Sequence, residues 1–273
     1  MLAIAALVHD RAWILPYWLQ AIRNIDWPRR DIALIMLDDA SVDDSLSILR
    51  AFAQAHADDY GKITILHNSY RFDSNRSSRD TQDREKLYAH LAGLRNQLIS
   101  VCLDNQAGLQ FSVDSDILVH PGIVKALAGH EVPYVSSVVI NDNSATFGGG
   151  LDYEHPRGRH CNFAPLLQNI TVKHEDVELR AGGLLFRHRF DYPMNSLLQV
   201  GMSGACYLVN EQVLRSGARF GRHPFGEDAW YCLEINRRGF PVYVDTTLRS
   251  VHIMEPDQLA AGLTMFAKIA PEG

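Results

Sequence analysis

Two aspartates separated by one residue, Asp114 and Asp116, stand between two short apolar runs. Burying two like charges at the end of a strand is costly, so such carboxylates are usually paired with cations or left in a polar cleft. Carboxylate oxygens are hard ligands that can hold a divalent metal, and that metal can in turn hold a diphosphate. The alternative is a solvated turn at a strand end, because Asp-x-Asp often arises by chance.

A second acidic segment covers residues 38–45 and directly follows an apolar stretch. A carboxylate at Asp39, the end of a predicted strand, can accept the imide hydrogen of a uracil or a hydrogen from a ribose hydroxyl. Asp43 and Asp44 are typical of a helix N-terminus, where they cap the first turn and interact with the helix dipole. We therefore predict a nucleoside contact for Asp39 and a structural role for Asp43 and Asp44.

Four more positions could serve the same site. Arg95 lies beside the apolar stripe of a predicted helix, so its guanidinium either reaches the sheet edge or is solvated. Asp228 opens a predicted helix, where it either gains from the dipole or faces a cleft and takes a proton from a hydroxyl. Gly204 is small enough to let a substrate approach the backbone. His252, at the end of an apolar strand, is either a core histidine or a metal ligand.

The first half of the chain shows alternating strand and helix patterns. The predicted buried strands are residues 3–8, 32–37, 63–66 and 109–113, and the helices between them lie around residues 15–25, 43–53 and 87–101. Strands that are apolar on both faces and separated by helices indicate a mostly parallel sheet covered on both sides. Ligands of such sheets bind outside the carboxyl ends of the strands, where the acidic segments are predicted to lie.

The second half of the chain is less regular. Residues 141–196 are polar, contain several glycines and prolines, and are typical of a binding loop or lid. The aromatic and basic candidates for acceptor binding in that segment are Tyr153, Arg157, Arg159, Phe186 and Arg187. Regular structure resumes with a predicted strand at 204–209, a helix at 227–238 ended by Gly239, and closing strands at 242–244 and 248–252.

Composition excludes several classes of protein. The chain has 273 residues, of which 47% are hydrophobic and 21% charged, as in one large globular domain or two abutting lobes. Its net charge of -6 argues against nucleic-acid binding through broad electrostatics. The scattered cysteines predict free, mostly buried thiols. The apolar start is too short for a membrane span and has no basic leader, so we expect a cytoplasmic protein whose membrane contacts would be peripheral.

Taken together, these segments resemble glycosyltransferase family 2 and its relatives with the GT-A fold. The matching segments are, in order, Asp38-Asp39-Ala40-Ser41-Val42-Asp43-Asp44, Leu94-Arg95-Asn96, Asp114-Ser115-Asp116, Ser203-Gly204-Ala205-Cys206, Gly226-Glu227-Asp228 and His252. The resemblance implies an α/β GT-A fold with two abutting Rossmann-like lobes around a mostly parallel central sheet. It implies a single domain over residues 1–273, with a nucleotide-sugar half at 1–120, an acceptor half at 121–255 and a tail at 256–273.

The resemblance also implies a role for each matching residue. The residues implied to contact the nucleotide sugar are Val8, Asp39, Arg95, Asp114 and Asp116, and those implied to bind Mn²⁺ or Mg²⁺ are Asp116, His252 and Asp114. Asp228 would be the catalytic base, and the acceptor would contact Glu227, Gly204 and Trp230. One departure is Ala40, which stands where the family usually has a glycine and constrains the turn after Asp39.

The implied activity is metal-dependent transfer of a sugar from a nucleoside-diphosphate sugar, foremost a UDP-sugar, to an acceptor hydroxyl. The acceptor would be a glycan, a glycolipid or a small molecule, and a single displacement would invert the anomeric centre. Alternatives are a retaining GT-A enzyme, a sugar-nucleotide nucleotidyltransferase and a non-catalytic nucleotide-sugar-binding module. The nucleotidyltransferase is disfavoured because residues 9–13, His-Asp-Arg-Ala-Trp, replace the glycine-rich loop expected after the first strand.

Overall fold

A computed structural model describes residues 1–72, 81–141, 163–165, 180–181, 184–185, 195–223 and 226–269. Its strands are β1 (Leu2–Val8), β2 (Ile32–Asp39), β3 (Lys62–Asn68), β4 (Leu109–Val113), β5 (Ile117–Leu118), β6 (Tyr134–Asn141), β7 (Phe163–Pro165), β8 (Arg180–Ala181), β9 (Leu184–Leu185), β10 (Leu197–Ser203), β11 (Cys206–Asn210) and β12 (Val242–His252). Its α-helices are α1 (Leu15–Arg23), α2 (Ser45–His56), α3 (Thr81–Asp104), α4 (Ile123–Ala128), α5 (Glu211–Arg215), α6 (Glu227–Arg237) and α7 (Leu259–Ile269).

The central sheet runs in the order β3-β2-β1-β4-β11-β6-β12-β10-β7. Strands β3, β2, β1 and β4 are mutually parallel, as helical connections between buried strands predict. The α/β class with a mostly parallel central sheet is therefore confirmed. Beyond β4 the sheet becomes mixed, because β11 pairs with β4 antiparallel while β6 and β12 pair parallel. The carboxyl ends of β1, β2 and β4 consequently share one edge with the start of β11.

The last strand, β12, also pairs with a short strand near the middle of the sequence. After running parallel to β6, β12 pairs antiparallel with the two-residue strand β5, so that His252 lies opposite Ile117. The main-chain N–H of Ile253 also donates a 2.9 Å hydrogen bond to the carbonyl of Asp116. These pairings bring His252 to the edge where the acidic residues lie.

The sheet is buried by helices on both faces. On one face the core contains the apolar stripe of α1, with Leu15, Trp18 and Ile22 fully or almost fully buried. On the other face α3 supplies Leu98 and α6 supplies Ile235 to a second core. Strands with two apolar faces must be covered on both sides, and these helices cover them. The packed sheet then supports the side chains at its carboxyl edge.

Two local predictions differ from the structure, and one segment without a prediction forms a helix. The strand expected from residue 204 begins at Cys206, because Ala205 has a left-handed backbone with φ 66° and cannot continue a strand. The two closing strands are one strand, β12, with a register shift between Asp245 and Arg249. The tail at residues 256–273, for which no element was predicted, contains α7, whose Gly262 packs against Ile253.

Candidate active site

Two loops at the carboxyl edge, residues 9–12 after β1 and 40–45 after β2, are joined by hydrogen bonds. The N–H of Asp10 donates to Ser41 Oγ at 3.0 Å, and the N–H of Val42 donates to Asp10 Oδ1 at 2.8 Å. Both loops turn sharply, since Asp10 and Ala40 each have φ 50°. Ala40 therefore adopts the left-handed conformation that the glycine expected there would adopt without strain.

The first charged group at this edge, which we call the Arg11 cluster, consists of Arg11, Asp116 and His252. The guanidinium Nε and Nη2 of Arg11 lie 3.0 Å and 2.9 Å from Asp116 Oδ2. The imidazole Nε2 of His252 lies 3.1 Å from Asp116 Oδ1. Both oxygens of this carboxylate, which is buried, are therefore engaged by cationic or hydrogen-bond-donating groups.

The electrostatics of the Arg11 cluster favour the ionised carboxylate. Burial alone would raise the pKa of Asp116, but the charges and hydrogen bonds of His252 and Arg11 lower it to about 2. Burial lowers the pKa of His252, but Asp116 outweighs burial and raises it above the ordinary value. The cluster therefore holds one ionised carboxylate between Arg11 and an imidazole whose protonated form that carboxylate favours.

The second charged group, which we call the Arg95 cluster, consists of Arg95, Asp114, Glu227 and Asp228. The buried Arg95 donates from Nη2 to Asp114 Oδ1 and from Nε to Glu227 Oε1, each at 3.0 Å. Its Nε also lies 3.9 Å from Asp228 Oδ1. A single guanidinium therefore holds the end of β4 to the start of α6. The predicted nucleotide contact of Arg95 stays a prediction, since the structure directs its head to these carboxylates.

Asp228 is held tightly against the backbone before β11. A Cβ built on Gly204 would lie 2.2 Å from Asp228 Oδ2, so only glycine leaves room for this carboxylate. The group that approaches Gly204 in the structure is thus Asp228, where the sequence analysis expected a substrate. The side chain is 28% exposed, whereas its Oδ1 is buried and accepts no hydrogen bond in the described structure.

The pKa of Asp228 is raised to about 7, in contrast to that of Asp116. Burial is the largest cause, Arg95 opposes it, and the negative charges of Glu227 and Asp114 add to it. A carboxylate whose pKa lies near neutral and which has an unpartnered oxygen suits general-base chemistry. Perturbed titratable groups of this kind are concentrated at functional sites.

Asp39 lies at the same edge but its carboxylate is already engaged. Asn68 Nδ2 donates to Asp39 Oδ1 at 2.8 Å, and His90 Nε2 lies 2.9 Å from Oδ2. The ring of His90 stacks on Phe72, with centroids 4.8 Å apart and planes inclined by 11°. A nucleoside that binds Asp39 would have to exchange with one of these partners.

The remaining predicted site residues are less accessible. Val8 is fully buried in the core, so a donor can contact the edge residues after it but not Val8 itself. Glu227 is buried and committed to Arg95. Trp230 packs over Gly221, and Arg237 lies 5.5 Å from its ring centroid. The acceptor candidates of the irregular segment lie outside the described residues: Tyr153, Arg157, Arg159, Phe186 and Arg187.

A divalent metal needs several ligand side chains that converge on one point. Within the described ranges, no three Asp, Glu, His or Cys side chains lie close enough together to hold a metal ion. Asp116 and His252 contact each other, while Asp114 binds Arg95. As arranged, these residues do not fit a divalent metal, because the ligand oxygens of Asp116 already face Arg11 and His252.

Sequence reasoning missed Arg11 and His90. Arg11 belongs to a charged triplet that follows β1 at the same edge as the acidic segments, and this position was the available signal. His90 is one of many polar residues on α3, and nothing in its position in the sequence indicated a contact with Asp39. Both contacts join residues that are far apart in the chain.

The fold is similar to those of solved glycosyltransferases. The structure of S. aureus TarS 1-349 in complex with UDP-GlcNAc matches with a TM-score of 0.54 at 11% identity, covering 98% of this chain and 66% of that one. The mannosyltransferase PcManGT from Pyrobaculum calidifontis, in complex with GDP-Man and Mn²⁺, matches with a TM-score of 0.54 at 15% identity, covering 93% and 57%. The sheet and these neighbours define an α/β domain with the fold of these GT-A glycosyltransferases.

The sequence gives the family within that class. The model of glycosyltransferase family 25, N-terminal domain, matches residues 1–155, and the chain belongs to this family. A glycosyltransferase 25 family member of Anopheles gambiae is 21% identical over 269 residues, which are 97% of this chain and 43% of that protein. One of Drosophila melanogaster is 29% identical over 146 residues, 51% of this chain and 23% of that protein.

The expected glycosyltransferase class and GT-A fold are therefore confirmed, and family 25 is the family shown. The chain spans less than half the length of these curated relatives. In the part of the chain that the structure describes, no helix has the length and apolar content needed to cross a membrane.

Proposed function

We propose that this chain transfers a sugar from a nucleoside-diphosphate sugar to an acceptor hydroxyl, with Asp228 as the catalytic base. The observation that carries the proposal is the carboxylate of Asp228, which is held against Gly204, has an Oδ1 that accepts no hydrogen bond in the described structure, and has a pKa of about 7. The family and the fold supply the reaction class. TarS and PcManGT were solved with UDP-GlcNAc and GDP-Man, which supports a nucleotide sugar as donor.

In this proposal the donor lies at the carboxyl edge, where ligands of parallel sheets bind. The acceptor hydroxyl approaches the exposed part of the Asp228 side chain and loses its proton to the carboxylate as the oxygen attacks the anomeric carbon. The bond from that carbon to the diphosphate breaks in the same step, so the anomeric configuration inverts. Asp114, with Arg95 behind it, is the proposed contact to the donor sugar or ribose.

Uridine is the nucleoside that we propose to test first, since TarS was solved with UDP and UDP-GlcNAc. The donor half at 1–120 and the acceptor half at 121–255 remain a proposed division of the chain. Gly204, just before β11, and Trp230, within α6, remain proposed acceptor contacts.

Metal dependence is a separate question. The complex of PcManGT with Mn²⁺ supports the predicted metal ion at Asp116 and His252, whereas the engagement of both Asp116 oxygens argues against it. A bound metal would supply positive charge for the leaving diphosphate. Turnover with added Mn²⁺, with Mg²⁺ and with EDTA separates the two expectations.

The central experiment measures donor turnover by wild type and by Asp228→Asn. General-base catalysis contributes about 10²- to 10⁴-fold, so the variant should lose about that factor in kcat while UDP binding survives. Asp104→Asn, an exposed change at the end of α3, is the matched control and should retain full activity. Equal turnover by Asp228→Asn and wild type would place the base elsewhere.

The same assay addresses the alternatives. A non-catalytic binding module would bind UDP without releasing sugar from any UDP-sugar or GDP-sugar. Retention of the anomeric configuration, read by NMR of the product, would reject the single displacement.

A further inference from the structure

Arg11 presents a positive charge at the edge where the proposed function places the donor. Its side chain is 21% exposed, whereas its partner Asp116 is only 8% exposed. The guanidinium thus covers the carboxylate and faces outward itself. Arginine is permanently charged and its planar fork matches the oxygens of phosphate groups.

The guanidinium is held in place by the loops around it. The main-chain N–H of Arg11 donates to Ser45 Oγ at 2.8 Å, and the N–H of Ala12 donates to Asp43 Oδ2 at 2.8 Å. Asp43 Oδ1 also accepts the N–H of Ser45, at the start of α2. These bonds fix the backbone from which Arg11 projects, so little conformational entropy remains to be lost when a ligand binds.

The guanidinium also retains donor capacity. Nε and Nη2 serve Asp116, and Nη1 makes two long contacts of 3.3 Å to the carbonyls of His9 and Asp10. An arginine has five N–H donors, so at least one hydrogen of Nη2 stays available in this arrangement. The long contacts of Nη1 are weak and exchange readily for charge-assisted bonds to an anion.

Asp116 in turn makes a poor ligand for a free divalent cation. A metal ion that binds Oδ2 would lie beside the guanidinium, and one that binds Oδ1 would lie beside His252. Like charges at such distances repel strongly when they are shielded from water. The positive group that Asp116 holds ready at this edge is therefore Arg11.

We propose that the guanidinium of Arg11 binds the diphosphate of the donor directly, and that donor binding does not require a divalent metal. This inference rests on the proposed function and names the residue that receives the donor's anionic group. Asp116 and His252 act as positioning residues, because they fix the guanidinium without touching the diphosphate.

The test is isothermal titration calorimetry of the full chain with UDP and with GDP, each in EDTA and in Mn²⁺. Wild type should bind at least one of them in EDTA. Arg11→Gln should weaken that binding about 10- to 100-fold, the effect of losing a hydrogen bond to a charged group. Arg11→Lys should recover part of the loss. Arg215→Gln, which removes an equal charge from the exposed pair with Glu211, should bind like wild type.

Asp116→Asn keeps the proposal testable if Arg11→Gln does not fold. The variant keeps an amide oxygen that can hold the guanidinium but removes the negative charge that opposes a bound anion, so in EDTA it should bind UDP or GDP more tightly than wild type. Circular dichroism of each variant reports folding.

Two results would overturn the inference. One is wild-type binding that appears only with Mn²⁺. The other is binding by folded Arg11→Gln that equals wild type. Failure of wild type to bind either nucleotide, with or without Mn²⁺, would instead reject the proposed function itself.

Discussion

The Arg11 cluster and the Arg95 cluster use the same kinds of residue in opposite proportions. In the first, one carboxylate lies between a guanidinium and an imidazole, and the pKa of Asp116 falls to about 2. In the second, one guanidinium serves three carboxylates, and the pKa of Asp228 rises to about 7. Both clusters are largely buried. The ratio of charges therefore decides which carboxylate is permanently ionised and which can exchange a proton near neutral pH.

The largest expected effect comes from removing the single cation of the Arg95 cluster. Arg95→Gln leaves the buried Glu227 and the partly exposed Asp114 and Asp228 without their cation, and should lower the free energy of unfolding by about 3–5 kcal/mol. Arg11→Gln should cost only about 1 kcal/mol, because Asp116 keeps His252 and Arg11 is partly exposed. Urea denaturation of both variants measures the difference. The double variant Arg95→Gln/Glu227→Gln should recover part of the loss, and similar costs for the two single variants would contradict the comparison.

The close approach of Asp228 to Gly204 gives the next largest effect. Gly204→Ala places a methyl group 2.2 Å from the position of Oδ2, which should cost about 1–3 kcal/mol and displace the carboxylate. Turnover should fall about 100-fold with the displaced base. Gly93→Ala is the control within α3, where an added Cβ meets nothing within 4 Å and should stabilise by about 0.5–1 kcal/mol. Full activity in Gly204→Ala would show that the contact is dispensable.

Asparagine at the two titrating positions should change stability in opposite directions. The folded pKa of Asp116 lies below its ordinary value of 3.8, so its contribution is complete above pH 4 and is lost toward pH 2. Asp116→Asn should therefore destabilise by about 2 kcal/mol at pH 7 and by less at pH 3.

Asp228 has the reverse sign. Its folded pKa of about 7 exceeds 3.8, so ionising it costs stability progressively from pH 4 to 7 and fully above pH 7. Asp228→Asn should then stabilise the protein by about 1–2 kcal/mol at pH 8 and hardly at all at pH 4. Unfolding curves at pH 3, 4, 7 and 8 check both signs, and destabilisation of Asp228→Asn at pH 8 would refute this assignment.

The smallest expected effect is on the pH profile of activity. If Asp228 is the base, kcat/KM should rise about tenfold per pH unit below pH 7 and level off above it. Glu227→Gln removes a negative neighbour that raises the pKa of Asp228, so the inflection should move to lower pH. Initial rates across pH 5 to 9 in buffers of constant ionic strength, about 0.1 M, would measure the profile. A profile that does not respond to Glu227→Gln would uncouple the two carboxylates.

Most of the parallel half of the fold could be predicted from local patterns. The apolar run at Leu109–Val113 is β4, and the helical spacing after Pro16 is α1. These elements depend on periodicity and burial, which short windows of sequence record. The register shift in β12 and the turn at Ala205 depend on partners elsewhere in the sheet, so local pattern did not reveal them.

The sequence indicated many of the residues at the site but not which side chains they contact. The contact of Asp116 with His252 was anticipated in part, since both were assigned to one metal. The side chain that covers Asp116 is Arg11, and the partners of Asp39 come from β3 and α3. Such pairs connect positions many residues apart, and a charge on its own does not show which opposite charge it meets.

The pairing of β12 with β5 has a consequence for how the protein is made. During synthesis Asp116 emerges from the ribosome long before His252. The Arg11 cluster is complete only when β12, which carries His252, pairs with β5. Until then Asp116 has at most Arg11 as a partner. The parallel strands β1 to β4 can therefore form during synthesis. The Arg11 cluster at their carboxyl edge is complete only after residue 252 has emerged.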